Sequence, residues 1–340
     1  MTMNIEPRPG ARCVVGVDLG GTNVRAAAVG QDGRKLGQAR GPSDARSGVE
    51  GVVSRIVEVV DAALADAGLN RGDVGAVGLA VPGHIDPHTG VIHWSPNFGE
   101  VVDGRLRIFL EVPFAEPLSQ ALQLACFAGN DANVAALGEF RYGAGRDVRD
   151  MVLFTLGTGI GGGVISEGRV VTGSTGGAVE LGHCIIVAGG RQCGCGTFGC
   201  IEAYCGTSAI IERAHRILEE NQPSLLFDRI AGDKMTLTPL MVDEAAREGD
   251  AAAMRVWEET GYYLGVGIAN AVNLFNPELV VLGGGIRKAT GLLEAAERSM
   301  RRHGIYSLAR TCHIVEALLG EDAGMMGAAE LAWRHVGAGA

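Results

Sequence analysis

A chain of 340 residues with 47% hydrophobic and 5% aromatic content is long enough for about two domains, each with a sizeable core. Its net charge of -10, with no basic block, argues against nucleic acid as a partner, and no run reaches the roughly 18 apolar residues of a membrane helix. The opening "MTMNIEPRPGARCVVGVDLGG" lacks the basic-then-apolar profile of a secretory signal, so the expected compartment is the cytoplasm, where the eight cysteines stay reduced.

"CVVGVDLGGTNVRAAAV" (Cys13 to Val29) predicts two strands joined by Gly-Gly-Thr-Asn, a hairpin signal. "GVEGVVSRIVEVVDAALADAG" carries apolar residues at helical spacing and stops at Gly68. "VGAVGLAVPGHID" predicts a buried strand ending in a Pro-Gly turn, and the polar "HWSPNFGE" predicts a loop. "LQLACFAGNDANVAALGEFRYG" reads as strand, short loop and helix, with Asp131 close to the helix start. The second half repeats this grammar. "MVLFTLGTGIGGGVI" is again strand, glycine turn, strand. A helical stretch from about Ala251 to Leu274, with glycine-containing breaks, precedes the strand of "PELVVLGGGI". "CHIVEALLG" supplies a last strand and "DAGMMGAAELAWRHV" a closing helix. The repetition suggests a duplicated α/β architecture with a cleft between its halves. The first lobe is placed at 1–129, with the closing helix, about 322–336, returning to it, and the second lobe at 130–321.

"CGCGTFGCIE" (Cys193 to Glu202) packs three cysteines into eight residues. With His183 upstream it offers His183, Cys193, Cys195 and Cys200, one imidazole and three thiolates, which is the ligand set of a closed, tetrahedral structural zinc site. A disulfide would leave one cysteine unpaired in a reducing compartment, and a redox centre would prefer Cys-x-x-Cys, which is absent. A closed zinc site would order a glycine-rich segment too short to order itself, and with it Glu202 and the neighbourhood of Glu180. Cys126, Cys205 and Cys312 read as small buried residues.

Asp18-Leu-Gly-Gly-Thr-Asn23 lies between two strands, so its amides can turn onto an anion. Thr22 adds a hydroxyl, and Asp18 could hold magnesium through water. "GTGIGGG" from Gly157 is a second such turn, and Gly283-Gly284-Gly285 a third, set before a helix. None obeys the P-loop spacing, and turns that lead into strands do not suit a dinucleotide fold. Glycine turns in both halves point to a nucleotide clamped between lobes.

In this order "DLGGTNVR", "GLAVPGHID", "NDANVAALGE", "LGTGIGGGVI", "ELGH", "CGCGTFGCIE" and "NPELVVLGGGI" resemble the ROK family of sugar kinases and repressors, within the actin–hexokinase–heat-shock ATPase superfamily, from about Val14 to Ala329. The resemblance implies a two-lobed actin-like ATPase (ribonuclease H-like) fold, with duplicated mixed sheets flanked by helices and a zinc-braced loop. It implies an ATP-dependent hexose kinase using Mg²⁺ with ATP, in which Asp131 takes the proton from the sugar's 6-hydroxyl. By the same resemblance Asn97, Asn130, Asp131, Glu180, His183 and Glu202 meet the sugar, with His183 also on zinc. ATP would be met by Asp18, Gly20, Gly21, Thr22, Asn23, Thr158 and Gly159, and its nucleoside by Gly283, Gly284 and Gly285. The chain departs from the family at Gly129, where Glu is common, and at Phe98 and Glu100 in the sugar loop. Read without the family, Asp131 fits a helix N-cap.

Glucose is the first expected substrate, followed by N-acetylmannosamine, N-acetylglucosamine, mannose, fructose or allose. The family's repressors carry a helix-turn-helix domain, which the twelve residues before Cys13 are too few to form, and a sugar-sensing regulator need not keep Asp131. The family also implies a homodimer, with the helices after Ser208 as candidate surfaces.

Overall fold

A computed structural model describes residues 5–220, 223–230 and 232–338. The first four residues of the opening stretch lie outside the described residues. The chain divides into two compact units, one holding the residues up to Arg146, Arg169–Val179 and those from Leu318 on, the other Asp147–Gly168 and Glu180–Ala317.

In the first unit, β1 (Cys13–Leu19) pairs antiparallel with β2 (Asn23–Val29), and β2 with β3 (Lys35–Pro42). α1 (Gly48–Asp66) follows, and then β4 (Val74–Val81), which lies parallel to β1 on its other side. A small sheet of β5 (His84–Ile85), β6 (Val91–Val102) and β7 (Arg105–Pro113) comes next. α2 (Ala115–Leu122) leads into β8 (Cys126–Asn130), parallel to β4, which runs straight into α3 (Asp131–Tyr142). The main sheet order is β3-β2-β1-β4-β8.

Strand β1 reads as a nearly continuous apolar run because both of its faces are covered. Val15, Val17 and Leu19 pack with Val52, Ile56 and Val60 of α1, while Val14 packs with Met325 and Ala329 of the closing helix, Ala323–Ala338. That helix can approach so closely because Gly78 of β4 has no side chain. A Cβ there would stand 1.8 Å from the Ala328 carbonyl oxygen. The break between units falls after Arg146 and not after Gly129, because α3 packs on the closing helix: a Cβ on Gly327 would lie 1.7 Å from the carbonyl oxygen of Val134.

In the second unit β9 (Met151–Leu156) and β10 (Ile160–Ser166) form an antiparallel hairpin. Short α4 (Glu202–Cys205) and α5 (Thr207–Glu219) follow the cysteine loop, and α6 (Ala251–Phe275) and α7 (Leu292–His303) flank β11 (Leu279–Gly283) in sequence. β11 runs parallel to β9, and β12 (His313–Glu316) runs parallel to β11. The order β10-β9-β11-β12 repeats β2-β1-β4-β8, so the α/β class with mixed sheets and the duplication read in the sequence are both present.

Two local expectations are corrected. "HWSPNFGE" is not a loop but part of β6, whose register with β7 breaks only between Ser95 and Gly99; Ser95 and Phe98 point into the core, which an exposed loop could not do. The helix from Ala251 is unbroken, and its glycines are contact points: a Cβ on Gly265 would sit 2.3 Å from the Ala296 carbonyl oxygen of α7. The Gly283–Gly285 turn stands where it was expected, at the end of β11 and before α7, which begins at Leu292.

Candidate active site

In the first unit, the turn between β1 and β2 is closed by the Gly20 N–H donating to the Asn23 carbonyl at 2.9 Å. Gly21 lies against Asn97, which a Cβ would meet at 3.7 Å, so Asn97 and the first glycine turn stand side by side. Gly21, Thr22, Arg46, Asn97 and Leu106 line a groove of about 750 Å³. Asp18 faces Arg25 directly across the hairpin, at 2.6 Å, and Arg25 also donates to the backbone carbonyl of Glu321 at 2.5 Å. One carboxylate beside a glycine turn could hold magnesium, which takes one or two protein carboxylates when it binds with phosphate oxygens.

Asp131 is the first residue of α3, and its cap is Asn130: the Asn130 Oδ1 accepts from the N–H groups of Ala132 and Asn133 at 3.0 and 3.1 Å. The capping role that the local sequence allowed for Asp131 thus falls one residue earlier. The Asn130 amide donates to the Gly83 carbonyl at 3.0 Å and to the Asp131 Oδ1 at 3.1 Å, and the same Oδ1 accepts the Ala132 N–H at 2.9 Å. Asn130 therefore fixes the half-buried carboxylate at the N-terminus of α3.

In the second unit, the ligand atoms of His183, Cys193, Cys195 and Cys200 all lie within 4.8 Å of one another. Tetrahedral zinc with its usual bond lengths separates two sulfurs by about 3.8 Å. Cys195 and Cys200 stand 3.7 Å apart, and Cys193 is 3.7 Å from Nδ1 of His183, so the set fits the ion and His183 turns its Nδ1 to it. Burial pushes the Cys193 thiol up to about 12, whereas the Thr197 N–H bonded to Cys195 brings that thiol down to about 7. The cluster is compatible with a structural zinc.

Glu202, two residues on, is half-buried and not a solvated surface charge. Its Oε2 accepts the Ile160 N–H at 2.9 Å, at the end of the Gly157–Gly159 turn. The Gly157 carbonyl in turn accepts from the Thr207 hydroxyl at 2.9 Å. Thr158, Cys193 and Glu202 share a cavity of about 430 Å³. Glu180 is exposed and precedes the single turn Leu181–His183. Cys205 and Cys312 are buried, and burial pushes their thiols to about 12 and about 11, as befits packing residues.

Sequence reasoning missed Arg25, Thr207 and the bond from Glu202 to the second turn. Arg25 was within reach, because a hairpin turning at Gly20–Thr22 sets it opposite Asp18. Glu202 and Thr207 are more than 40 residues from the turn they hold, and no periodicity reports such contacts.

Two like-ordered sheets with glycine turns on corresponding hairpins, a helix-start aspartate and a Cys₃His cluster define a phosphate-handling α/β protein of the kind the motifs suggested. The chain belongs to the ROK family, whose profile matches residues 14–335. It is 34% identical to a glucokinase of Thermotoga maritima over 95% of this chain and 98% of that protein. A glucokinase of Halalkalibacterium halodurans is likewise 34% identical, over 93% of each chain. A ROK glucokinase from Streptomyces griseus, solved in complex with glucose and AMPPNP, superposes with a TM-score of 0.77 at 32% identity, covering 95% of this chain and 99% of that one.

Proposed function

We propose that the protein is an ATP-dependent glucose kinase acting on the sugar's 6-hydroxyl. The observation that carries this is the full-length similarity to glucokinases together with a complete set of phosphate turns and the capped Asp131. Asp131 accepts the proton of the 6-hydroxyl as that oxygen bonds to the γ-phosphorus and the bond to the bridging oxygen breaks, releasing ADP. Asn130 holds the base in line through its four hydrogen bonds, and a sugar contact by Asn130 adds to that duty. Asn97, Glu180, His183 and Glu202 meet sugar hydroxyls, since amides, imidazole and carboxylates each accept or bridge them. Gly20, Gly21, Thr22, Asn23, Thr158 and Gly159 receive phosphate oxygens, and Gly283–Gly285 passes beneath the nucleoside. Magnesium, when bound with ATP near Asp18, neutralises charge on the phosphates.

We also assign the protein to the cytoplasm, in keeping with its free thiols, and among the described residues no helix is long and apolar enough to cross a membrane. A homodimer is supported by the exposed Leu274, Ile305 and Tyr306 at the end of α6 and the segment beside it.

A coupled ADP-release assay with Mg-ATP across hexoses and N-acetylhexosamines tests the reading. Turnover is expected to rank glucose first and to fall by about 10²–10⁴-fold in Asp131→Ala. Turnover on an N-acetyl sugar alone would overturn the choice of glucose, and none on any sugar would overturn the kinase.

A further inference from the structure

We propose that Glu202 is a positioning residue for the second glycine turn, and that through it the state of the Cys₃His cluster sets how firmly the protein holds nucleotide phosphate. The inference rests on the kinase reading for the identity of the ligand, and on the geometry of the second unit for the link itself.

Both ends of the turn are tied to one short segment. The Gly157 carbonyl accepts the N–H of Thr207 at 3.2 Å and its hydroxyl at 2.9 Å, and the Ile160 N–H donates to Oε2 of Glu202 at 2.9 Å. Gly159 is pressed against the same carboxylate, since a Cβ there would stand 2.4 Å from Oε2. An N–H bonded to a carboxylate is held about twice as strongly as one bonded to a neutral acceptor, so the Ile160 amide is committed to Glu202. That leaves the amides of Thr158 and Gly159 as the turn's groups for phosphate oxygens.

The holding segment cannot hold itself. α4 has four residues and no side-chain cap, far below the length at which a helix is stable alone. Its far end is tied by the buried Tyr204 and Cys205, and the end that carries Glu202 is fixed by the cluster. Cys200 is fully buried two residues before Glu202, and the other carboxylate oxygen, Oε1, lies 3.5 Å from Sγ of Cys193. One carboxylate thus touches a metal-ligand sulfur with one oxygen and the phosphate turn with the other. With the ligands held, the turn is held. With the ligands released, Glu202 loses its frame and the turn relaxes.

The test uses the full-length, zinc-loaded protein and two readouts, the Kd for Mg-ADP without sugar and hydrogen exchange at the Ile160 amide. Glu202→Ala is expected to keep its zinc, to weaken Mg-ADP by about tenfold and to speed exchange at Ile160. Glu202→Gln, which retains an acceptor oxygen, is expected to stay within about threefold of wild type. Chelation of the wild type is expected to reproduce the exchange change at Ile160. A Glu202→Ala variant that binds Mg-ADP like wild type, with only its KM for glucose raised, would leave Glu202 a sugar contact and nothing more, and overturn the proposal. Unchanged Ile160 exchange after proven zinc loss would overturn it as well. A wild type that binds no Mg-ADP would defeat the kinase reading instead, and the exchange comparison would still decide whether the cluster governs the turn.

Discussion

The two glycine turns occupy corresponding hairpins in the two units, yet they are supported in different ways. The first, between β1 and β2, sits on a sheet covered on both faces, with the Asp18–Arg25 ion pair beside it and the closing helix in contact: a Cβ on Gly324 would lie 2.9 Å from the Asp18 carboxylate. Its supports are packed helices and strands. The second turn depends on Glu202 and Thr207, carried by a segment that follows directly on the cysteine loop. A backbone motif can thus be the same while the source of its rigidity differs, apolar packing in one unit and a metal-binding set in the other.

Metal removal breaks this comparison most sharply. Structural zinc sites bind with apparent free energies of about 10–16 kcal/mol near neutral pH, which here would order the exposed stretch from Gly194 to Phe198 and the residues that bond to it. Chelation or Cys200→Ser is therefore expected to abolish exchange protection at Ile186 and Ile201, whose amides bond within the loop, and to leave Val77 in the first unit protected. Loss of protection in both units together would mean that they are not independently supported. The converse lesion is Gly327→Val, which drives a side chain into the Val134 carbonyl and should cost more than about 4 kcal/mol in the first unit alone.

Next in size is Glu139. It is fully buried and accepts three backbone N–H groups, from Ala144, Leu318 and Leu319, at 3.0, 3.1 and 2.7 Å. Removing the acceptor strands those donors, each at about 1–3 kcal/mol before the chain relaxes. Glu139→Ala is expected to lower stability by about 3 kcal/mol in denaturant melts followed in the first unit, and Glu139→Gln by less. Equal losses in the two variants would show that charge, and not mere acceptance, holds the segment that leads into the closing helix.

How much of this was legible follows from the range of the interactions. The hairpins, α1 and the closing helix were readable because their signals are local: β-branched runs, glycine turns and helical spacing over adjacent residues. The zinc set was readable because its ligands crowd one stretch and their chemistry is restrictive. The β6 strand was misread because Ser95-Pro-Asn-Phe98 has turn composition, while its pairing partner lies beyond Val102 and its burial depends on the core beneath Phe98. The glycines of α6 were misread as breaks because nothing nearby in sequence reveals that α7 lies against them. Asp131 and Asn130 were correctly placed at a helix start, but which of them caps depends on where the strand ends, and β8 gives way to α3 with no loop between.

The smallest effect expected sharpens the contrast in a different way. Arg25 and Asp18 are each under a third exposed, so their pair is partly screened, and it is worth about 1 kcal/mol at most. Arg25→Ala should lower the melting temperature of the first unit by about 2–4 °C. Because the pair is an electrostatic support, the difference from wild type should shrink as salt is raised and the Debye length falls to about 3 Å at 1 M. The second turn should change less, since its carboxylate is half-buried and bonded at 2.9 Å to Ile160, a contact that added salt screens little. If the Arg25→Ala deficit persists undiminished in high salt, then the guanidinium acts through its hydrogen bond to the Glu321 carbonyl, and the first turn too would owe its shape to a tether and not to charge.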